Sequence, residues 1–580
     1  PGTVDEMGYL RLNNDAQSFS SDIPVVVMER FSGGPSASNG KSFTFFAFFE
    51  PDQRTRRTTL DGPYTLGTRG GWKTRGSSST GFPKKAYSIE AWNELNRNRN
   101  ISPYGLPPES DWILNARSRY DRSLMRNAFI YELSNQIGRY AVRTRYVELF
   151  KNDNGGNLSY GNDYDGVYTF MEKISRDKER VPAERLPASV TSEPGIGGGY
   201  MLKIDRLDPG DSGISAGGRS LGWVYPKEDD ATGAQGNWIR NYINSMNEAL
   251  NAPDYADPIN GYARHIDVDS WIDHHLLNVL TLNADALRLS TYFFKTRGGK
   301  IEFGPIWDFD RSMESTDSRD DNPSTWSGGT NYFTYPWWNR LFTDENFWQK
   351  YIDRYFELRD GPFATGNVHS IIDSMAATLN ESQVRNFQRW SDQPRFGSYQ
   401  GEVNHLKTWL STRLNWMDGQ FAPRPTANRP GGTYPAGTTV TLSASLSGGQ
   451  KIYYTLDGSD PRPQSESETL EGTTLFGETQ AVKVLAPADN IGATWQGGSE
   501  PFNDNSWRSG TNGVGYERSS GYDPYINIDV DDAMSNRTSC YIRIPFNVSG
   551  AALATWNFMT LRMRYDDGFV AYLNGTRIMS

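Results

Sequence analysis

The sequence predicts a multidomain chain, with an α+β region made of a β-rich lobe and an α-rich lobe, followed by two all-β sandwich modules. Three observations carry this. Strand-like runs dominate to about residue 230, and helical periodicity takes over to about residue 420. Beyond the proline- and glycine-bearing stretch FAPRPTANRPGG at 421–432, helical signals stop. At 580 residues the chain is too long for a single core, and its length alone suggests roughly three to four domains.

The strands expected in the first lobe are 24–31 (PVVVMERF), 43–49, 85–91, 143–150, 166–172 and 200–205, each rich in β-branched and aromatic residues. Between them DRS at 121–123 reads as a helix cap. In the following LMRNAFIYELSNQIG, Met125, Phe129 and Glu132 share one stripe, with Gly138 at the C-terminal stop. GIGGGY, ahead of strand 200–205, lacks a full dinucleotide fingerprint and reads as a turn. Further helices are expected at 236–251, 267–282, 345–359, 366–379 and 401–419. The expected division is an N-terminal segment 1–23, the α+β region 24–420, a linker 421–432, a sandwich at 433–484, and a second, incomplete sandwich at 485–580.

Composition limits the function. Hydrophobic residues at 36% and charged residues at 22% suit a folded protein rather than a disordered one. A net charge of −10 argues against nucleic acid as a partner, and no apolar run is long enough to span a bilayer. Cys540 is the single cysteine, which excludes a disulfide framework and a cysteine metal site. The opening PGTVDEMG has no basic and apolar leader pattern, so any signal peptide is expected to lie outside these residues.

The chemistry concentrates in NADALRLSTYFFKTRGGKIEFGPIWDFDRSM, residues 283–313. Asn283 and Asp285 follow a helix, a hairpin intervenes, and Asp308 and Asp310 follow its return strand. A hairpin brings its two ends together, so Asp285 and Asp308 are expected to face one site. Clustered carboxylates without cysteine or paired histidine suit a hard cation such as Mg²⁺. An acid after a helix, a short hairpin, and an acid next to an aromatic is the order in which protein kinases set their base and their metal ligand. A Gly/Ser loop in KTRGSSSTGFPKKAYSIEA (73–91) can lay backbone N–H groups over phosphates. Strand alternation then points Lys85, with Tyr87 and Ile89, inward and Lys84 outward. Glu132 could pair such a lysine. The adjacent His274 and His275 read as packing residues.

Taken together, RGSSS…FPKKAYSIE, DRSLMRNAFIYELSNQIGRYA, YDGVYTFMEKI, GGYMLKIDR, NADALRLSTYFFK and GPIWDFDRSM resemble the CotH family of atypical, secreted or surface-associated protein kinases, over roughly residues 24–420. The resemblance implies a bilobal, kinase-like fold using ATP and Mg²⁺ or Mn²⁺. It implies Asp285 as catalytic acid/base, with Lys84, Lys85 and Glu132 as supporting groups. Arg75, Gly76, Ser77, Ser78 and Ser79 would lie near phosphate, and Glu172 near the nucleotide base. Asp308, Asp310, Ser290 and Asn283 would be the metal ligands. Ser290 stands where many members carry asparagine. Residues 429–484, with GGTYPAGTTVTLSA and IYYTLDGSDPR, look like the C-terminal β-sandwich of chitobiase-type hexosaminidases, and residues from about 490 are similar to jelly-roll modules of bacterial surface proteins. The implied function is transfer of phosphate from ATP to Ser/Thr of extracellular or matrix proteins, with carbohydrate as a further partner of the β modules. The alternative is a non-catalytic structural or adhesive protein on a kinase-like scaffold.

Overall fold

The computed structural model describes residues 7–31, 40–76, 78–116, 119–207, 211–446, 450–456, 461, 475–477, 479–498, 500–517, 523–535, 537–550, 561, 563, 565 and 568–579. The chain divides into two compact units, Pro1–Ser465 and Glu466–Ser580.

Within the first unit seven strands close into a barrel: β1 (Val25–Glu29), β2 (Ser42–Phe49), β3 (Leu66–Arg75), β4 (Ala86–Ala91), β5 (Asp111–Ala116), β6 (Thr144–Asn152) and β7 (Tyr164–Glu172). Their order is β1-β2-β3-β4-β5-β7-β6, antiparallel except where β6 runs parallel to β1 and closes the ring. The unbroken apolar run of β1 follows from burial on both faces. Val26 and Met28 join one core with Phe46, Phe48 and Phe170, while Val25 and Val27 join another with Phe45, Phe49 and Phe150.

Two barrel strands, β3 and β5, lie outside the sequence expectations. β3 reads LGTRGGWKTR, without apolar alternation, because its glycines serve close approach: a Cβ on Gly70 would stand 2.2 Å from the Glu90 carbonyl oxygen, and one on Gly71 would stand 2.3 Å from the Trp92 ring.

A second sheet, antiparallel throughout, is formed by β8 (Tyr200–Ile204), β9 (Ile214–Ala216), β10 (Arg219–Tyr225), β11 (Thr291–Lys295) and β12 (Ile301–Phe303), in the order β9-β10-β8-β11-β12. β11 and β12 are the expected hairpin, with Phe293 opposite Phe303 and Lys295 opposite Ile301. The principal helices are α1 (Arg126–Gln136), α2 (Gly233–Asn251), α3 (Val268–Thr281), α4 (Glu345–Arg359), α5 (Thr365–Leu379), α6 (Ser382–Arg389) and α7 (Tyr399–Asp418). One large core joins α1, the second sheet and the helices from α2 to α7. α3 is buried on nearly every side, so its polar residues are held by partners, Asp273 for instance by Arg139 and Arg354 at 2.7 Å each. His274 and His275 lie within it, and burial depresses both imidazoles to about 3, which keeps them neutral. Phe421, at the start of the expected linker, is buried in this core against Tyr355, so the proline-bearing stretch leaves the helical body only beyond it.

Helix α6 was missed because its docking is polar. Its Arg385 pairs with Glu148 on β6 at 2.7 Å, and Asn386 Oδ1 accepts from the Val167 N–H at 3.1 Å and from Lys84 Nζ at 2.7 Å. Arg389 Nε donates to the Tyr164 carbonyl at 2.8 Å. Gly166, at φ +94, allows this approach, since a Cβ there would stand 2.7 Å from Asn386 Oδ1.

The rest of the described chain is β-rich, with short strands. TVTLSA contributes Leu442–Ser443, paired with Thr426–Ala427. Of KIYYTLDGSD, residues 451–456 hold no strand, and 457–460 lie outside the described residues. In the second unit Ala481–Leu485 is the centre of a three-stranded sheet flanked by Arg508–Thr511 and Tyr541–Arg543, with a small core of Val482, Val484, Ile528 and Val530.

Gly166→Ala should destabilise the first unit by about 1–3 kcal/mol, through the left-handed backbone and the clash with α6. A chemical denaturation midpoint close to that of the wild type would contradict this. Acid should loosen the same docking. The Arg57 guanidinium bonded to Glu381, helped by Arg385, holds the Glu381 carboxyl down to about 2 from its ordinary 4.5. Stability from this pair is therefore present above about pH 4.5 and is lost as pH falls toward 2. The stability difference between wild type and Glu381→Gln should shrink across that window, and a constant difference would exclude the pair as its source.

Candidate functional site

The site is built from helix α1 outward. The N-cap position is Met125, and Asp121, four residues earlier, accepts from the first helical N–H, that of Arg126, at 2.8 Å and from Ser123 Oγ at 2.6 Å. The Arg126 side chain, 2% exposed, then places all five of its N–H donors. They reach Asp121 and Ser123 at 2.8 and 3.2 Å, and the carbonyls of Ser312, Met313 and Glu314 at 2.8, 3.1 and 3.0 Å. The next residue, Asn127, accepts through Oδ1 from the Phe309 N–H, and about one turn on Tyr131 Oη accepts from the Asp308 N–H at 3.1 Å. Asn127 and Tyr131 are four residues apart and share a face, so one side of α1 fixes the whole WDFDRSME segment. Asp308 is held at φ +67, a left-handed conformation costly for aspartate. Of the fourteen non-glycine residues with positive φ among the described residues, seven fall between Leu282 and Ser318, so backbone strain concentrates at this segment and the Asp285 turn.

Asp285 lies against that segment. The Ala284 N–H donates to the Arg311 carbonyl at 3.0 Å, and the Met313 N–H donates to the Thr281 carbonyl at 2.9 Å. Three guanidiniums surround the Asp285 carboxylate: Arg288 and Arg319 (3.5 Å) on Oδ1, and Arg311 (3.5 Å) on Oδ2. Arg311 and Arg319 also bind Asp317, whose carboxyl the Arg319 hydrogen bond holds below the usual range. The Gly/Ser loop reaches this neighbourhood at two points. The Arg75 guanidinium lies 5.4 Å over the Trp307 ring, which stacks on Tyr131. Phe82 packs edge-on against Tyr120 at 5.7 Å, and Tyr120 Oη accepts from Arg311 at 2.9 Å. Arg75, Trp307–Asp310 and Asp285 are thus brought into one neighbourhood.

Other residues named from the sequence go elsewhere. The expected faces of Lys84 and Lys85 are reversed. β4 begins only at Ala86, so its alternation does not extend back through the turn. Lys84 is buried and donates to Asn386 and to the Val167 carbonyl at 2.5 Å, while Lys85 donates to the Thr80 carbonyl at 2.6 Å within the loop. Glu132 is on the exposed side of α1, accepting from Gln136 at 2.9 Å, and it pairs with no lysine among the described residues. Glu172 is fully buried among Arg143 (2.7 Å), Arg180 (3.1 Å) and Tyr140 Oη (3.1 Å), which commits its carboxylate to protein partners. The Asn283 amide is spent internally, donating to Asn278 at 3.0 Å and accepting from the Asp285 N–H at 3.2 Å. Ser290 follows Asp285 in the same turn region at φ +50, and Gly76 turns the loop at φ +110 with the Ser79 hydroxyl beneath it. Ser77 lies outside the described residues, as does the Ser78 side chain.

No three of Asp, Glu, His and Cys come together as a metal site among the described residues.

Sequence reasoning missed Arg126, Asn127, Tyr131 and Arg319. The Arg-Asn-x-x-x-Tyr spacing of α1 carried a signal, since three polar groups on a buried helix face require partners. Arg126→Lys should destabilise the first unit by about 3 kcal/mol, because an ammonium cannot reproduce a planar fork spread over three carbonyls and a carboxylate. Proteolysis near 312–320 should also accelerate, and unchanged melting together with unchanged cleavage would refute the anchoring role.

Comparison with known proteins agrees with the motifs. Residues 72–417 match the CotH kinase protein family, and residues 429–493 match the chitobiase/beta-hexosaminidase C-terminal domain. None of the curated proteins matches the chain. Among solved structures, the Helicobacter pylori proinflammatory kinase CtkA is 9% identical, and the match covers 58% of this chain and 95% of that one with a TM-score of 0.22. Because the first match takes in more than half of its length, the chain belongs to the CotH kinase protein family.

Proposed function

We infer that the first unit is a kinase-like, bilobal phosphotransferase that moves phosphate from ATP to Ser/Thr hydroxyls of extracellular or matrix proteins, and that the chain works outside the cell or at its surface. The observation that carries this reading is the convergence on α1: the helix orders Asp308, and the segment so ordered is bonded to the Asp285 turn. Family membership supports ATP as the phosphate source.

In this reading Asp285 accepts the proton of the attacking hydroxyl. A carboxylate offers about four acceptor positions. Two guanidiniums take Oδ1 and one takes Oδ2, which leaves Oδ2 able to receive a hydroxyl while the arginines fix its direction. Asp308, Asp310 and Ser290 would hold Mg²⁺, which when bound neutralises phosphate charge and orients the phosphoryl group. Arg75 and the backbone of the Gly76–Ser79 loop would contact the phosphates, with Lys85 fixing the loop through Thr80. The chitobiase-type module fits a contact with carbohydrate.

A second reading, a non-catalytic structural or adhesive protein, draws on the same geometry. Asp285 saturated by arginine and Asn283 spent on Asn278 also describe a site that has turned its polar groups inward. Labelled-ATP assays on three proteins separate the two readings. For an enzyme, wild type transfers label, Asp285→Asn loses at least a hundredfold, and Ser290→Asn gains by restoring an amide ligand. Absence of label in all three, with Mg²⁺ and Mn²⁺ both tried, would sink the enzyme reading and leave the scaffold.

A further inference from the structure

Helix α1 has a second end. Its C-terminal turn, about 15 Å by helical rise from Arg126, borders a cavity of about 220 Å³ between α1, α3, β11, β12 and the 180–182 segment. This exceeds the roughly 150 Å³ of an apolar cavity that accepts benzene. Gly138 and Pro182 at its edge are exposed, while His274 and Leu277 on α3 are buried, so the cavity runs inward from the surface. Leu277, Phe294, Phe303 and Ile306 supply apolar walls.

Most of its polar groups are already committed. Arg139 bonds Asp273 at 2.7 Å, and Arg180 and Tyr140 bond Glu172 at 3.1 Å each. The Ser134 and Ser270 hydroxyls donate to carbonyls at 2.8 Å. Three groups are not committed, the first being Arg180 Nε, which is buried with no hydrogen-bond partner among the described residues. Glu302 on β12 has no hydrogen-bond or ion-pair partner among the described residues, and burial pushes its carboxyl up. His274, 4% exposed, sets Nδ1 3.5 Å from the Asn278 amide nitrogen, whereas its Nε2 has no hydrogen-bond partner among the described residues. We assign the proton of the neutral imidazole to Nε2, the tautomer that lets Nδ1 face the Asn278 amide N–H. The cavity therefore offers donors at His274 Nε2 and Arg180 Nε, an acceptor at the half-buried Glu302, and apolar walls.

We propose that this cavity is a small-molecule site, separate from the Asp285 cleft, for a single-ring aromatic carboxamide or lactam. The ligand carbonyl accepts from His274 Nε2–H, its N–H donates to Glu302, and its ring packs against Leu277, Phe294 and Ile306. The recognition is polar as well as apolar. A carboxylate of the same shape meets Glu302 unfavourably, and a bare ring leaves both polar groups unanswered.

Benzamide is the probe, titrated into the full chain and followed by saturation-transfer NMR and calorimetry, with benzoate and toluene as comparisons. Benzamide should bind in the millimolar range and at least tenfold more tightly than either comparison. Glu302→Leu and His274→Leu should each weaken it at least tenfold. Glu302→Gln keeps the shape of the wall; it should weaken benzamide and let benzoate bind, which a mere loss of folding would not do. Toluene binding as tightly as benzamide, folded variants that retain full benzamide affinity, no benzamide binding at all, or displacement of benzamide by ATP would each overturn the proposal.

Discussion

The buried guanidinium of Arg126 is the fixed point of the first unit. It is planar, permanently charged and enclosed, so each of its donors must be met, and five partners from two distant stretches of chain meet them. Asp121 neutralises the charge from the near side at 2.8 Å, and three successive carbonyls from 312 to 314 converge on the far side. Those carbonyls can converge only if the backbone bends against its preferences, and Met313 and Glu314 both sit at positive φ. The same helix dictates the conformation of Asp308 through Tyr131, so the strain is stored where the acids are.

From that point the architecture follows outward. Helix α1 joins the large core rather than the interior of the barrel, and it holds the WDFD segment from one side while α3 delivers Asp285 from the other. The barrel is tied to the helical body by a different device. α6 lies across β6 and β7 through Arg385, Asn386 and Arg389, and Lys84 is drawn into that contact rather than toward the acids. A lysine next to a Gly/Ser loop is here a structural donor beneath α6. The positive charge beside Asp285 comes instead from Arg288, Arg311 and Arg319.

What was legible in the sequence is what depends on local pattern. The long helices, the β11–β12 hairpin and the buried β1 have periodicity or runs that survive tertiary context, and their bounds agree with expectation to within a few residues. β3 and α6 did not, because glycines chosen for close packing and a polar docking face both read as loop. The acids were visible as a cluster in sequence, but the meeting of three guanidiniums on Asp285 was not. Arg288 is close to Asp285 in the chain, whereas Arg311 and Arg319 reach it only through the fold. Lys84 and Lys85 were exchanged for a simple reason: alternation was extended across a turn that precedes the strand. Glu172 is placed by β7 beside the arginines of a neighbouring segment, which no local pattern discloses.

In the proposed reading, α1 orders Asp308 for a metal–nucleotide complex beside Asp285. Calorimetric titration of ATP into the full chain, with and without Mg²⁺, tests it most directly. The account predicts saturable binding that requires Mg²⁺ and is lost in Asp308→Asn while that variant melts like the wild type. Absence of ATP binding in either condition, or Mg²⁺-dependent binding unchanged by Asp308→Asn, would contradict it.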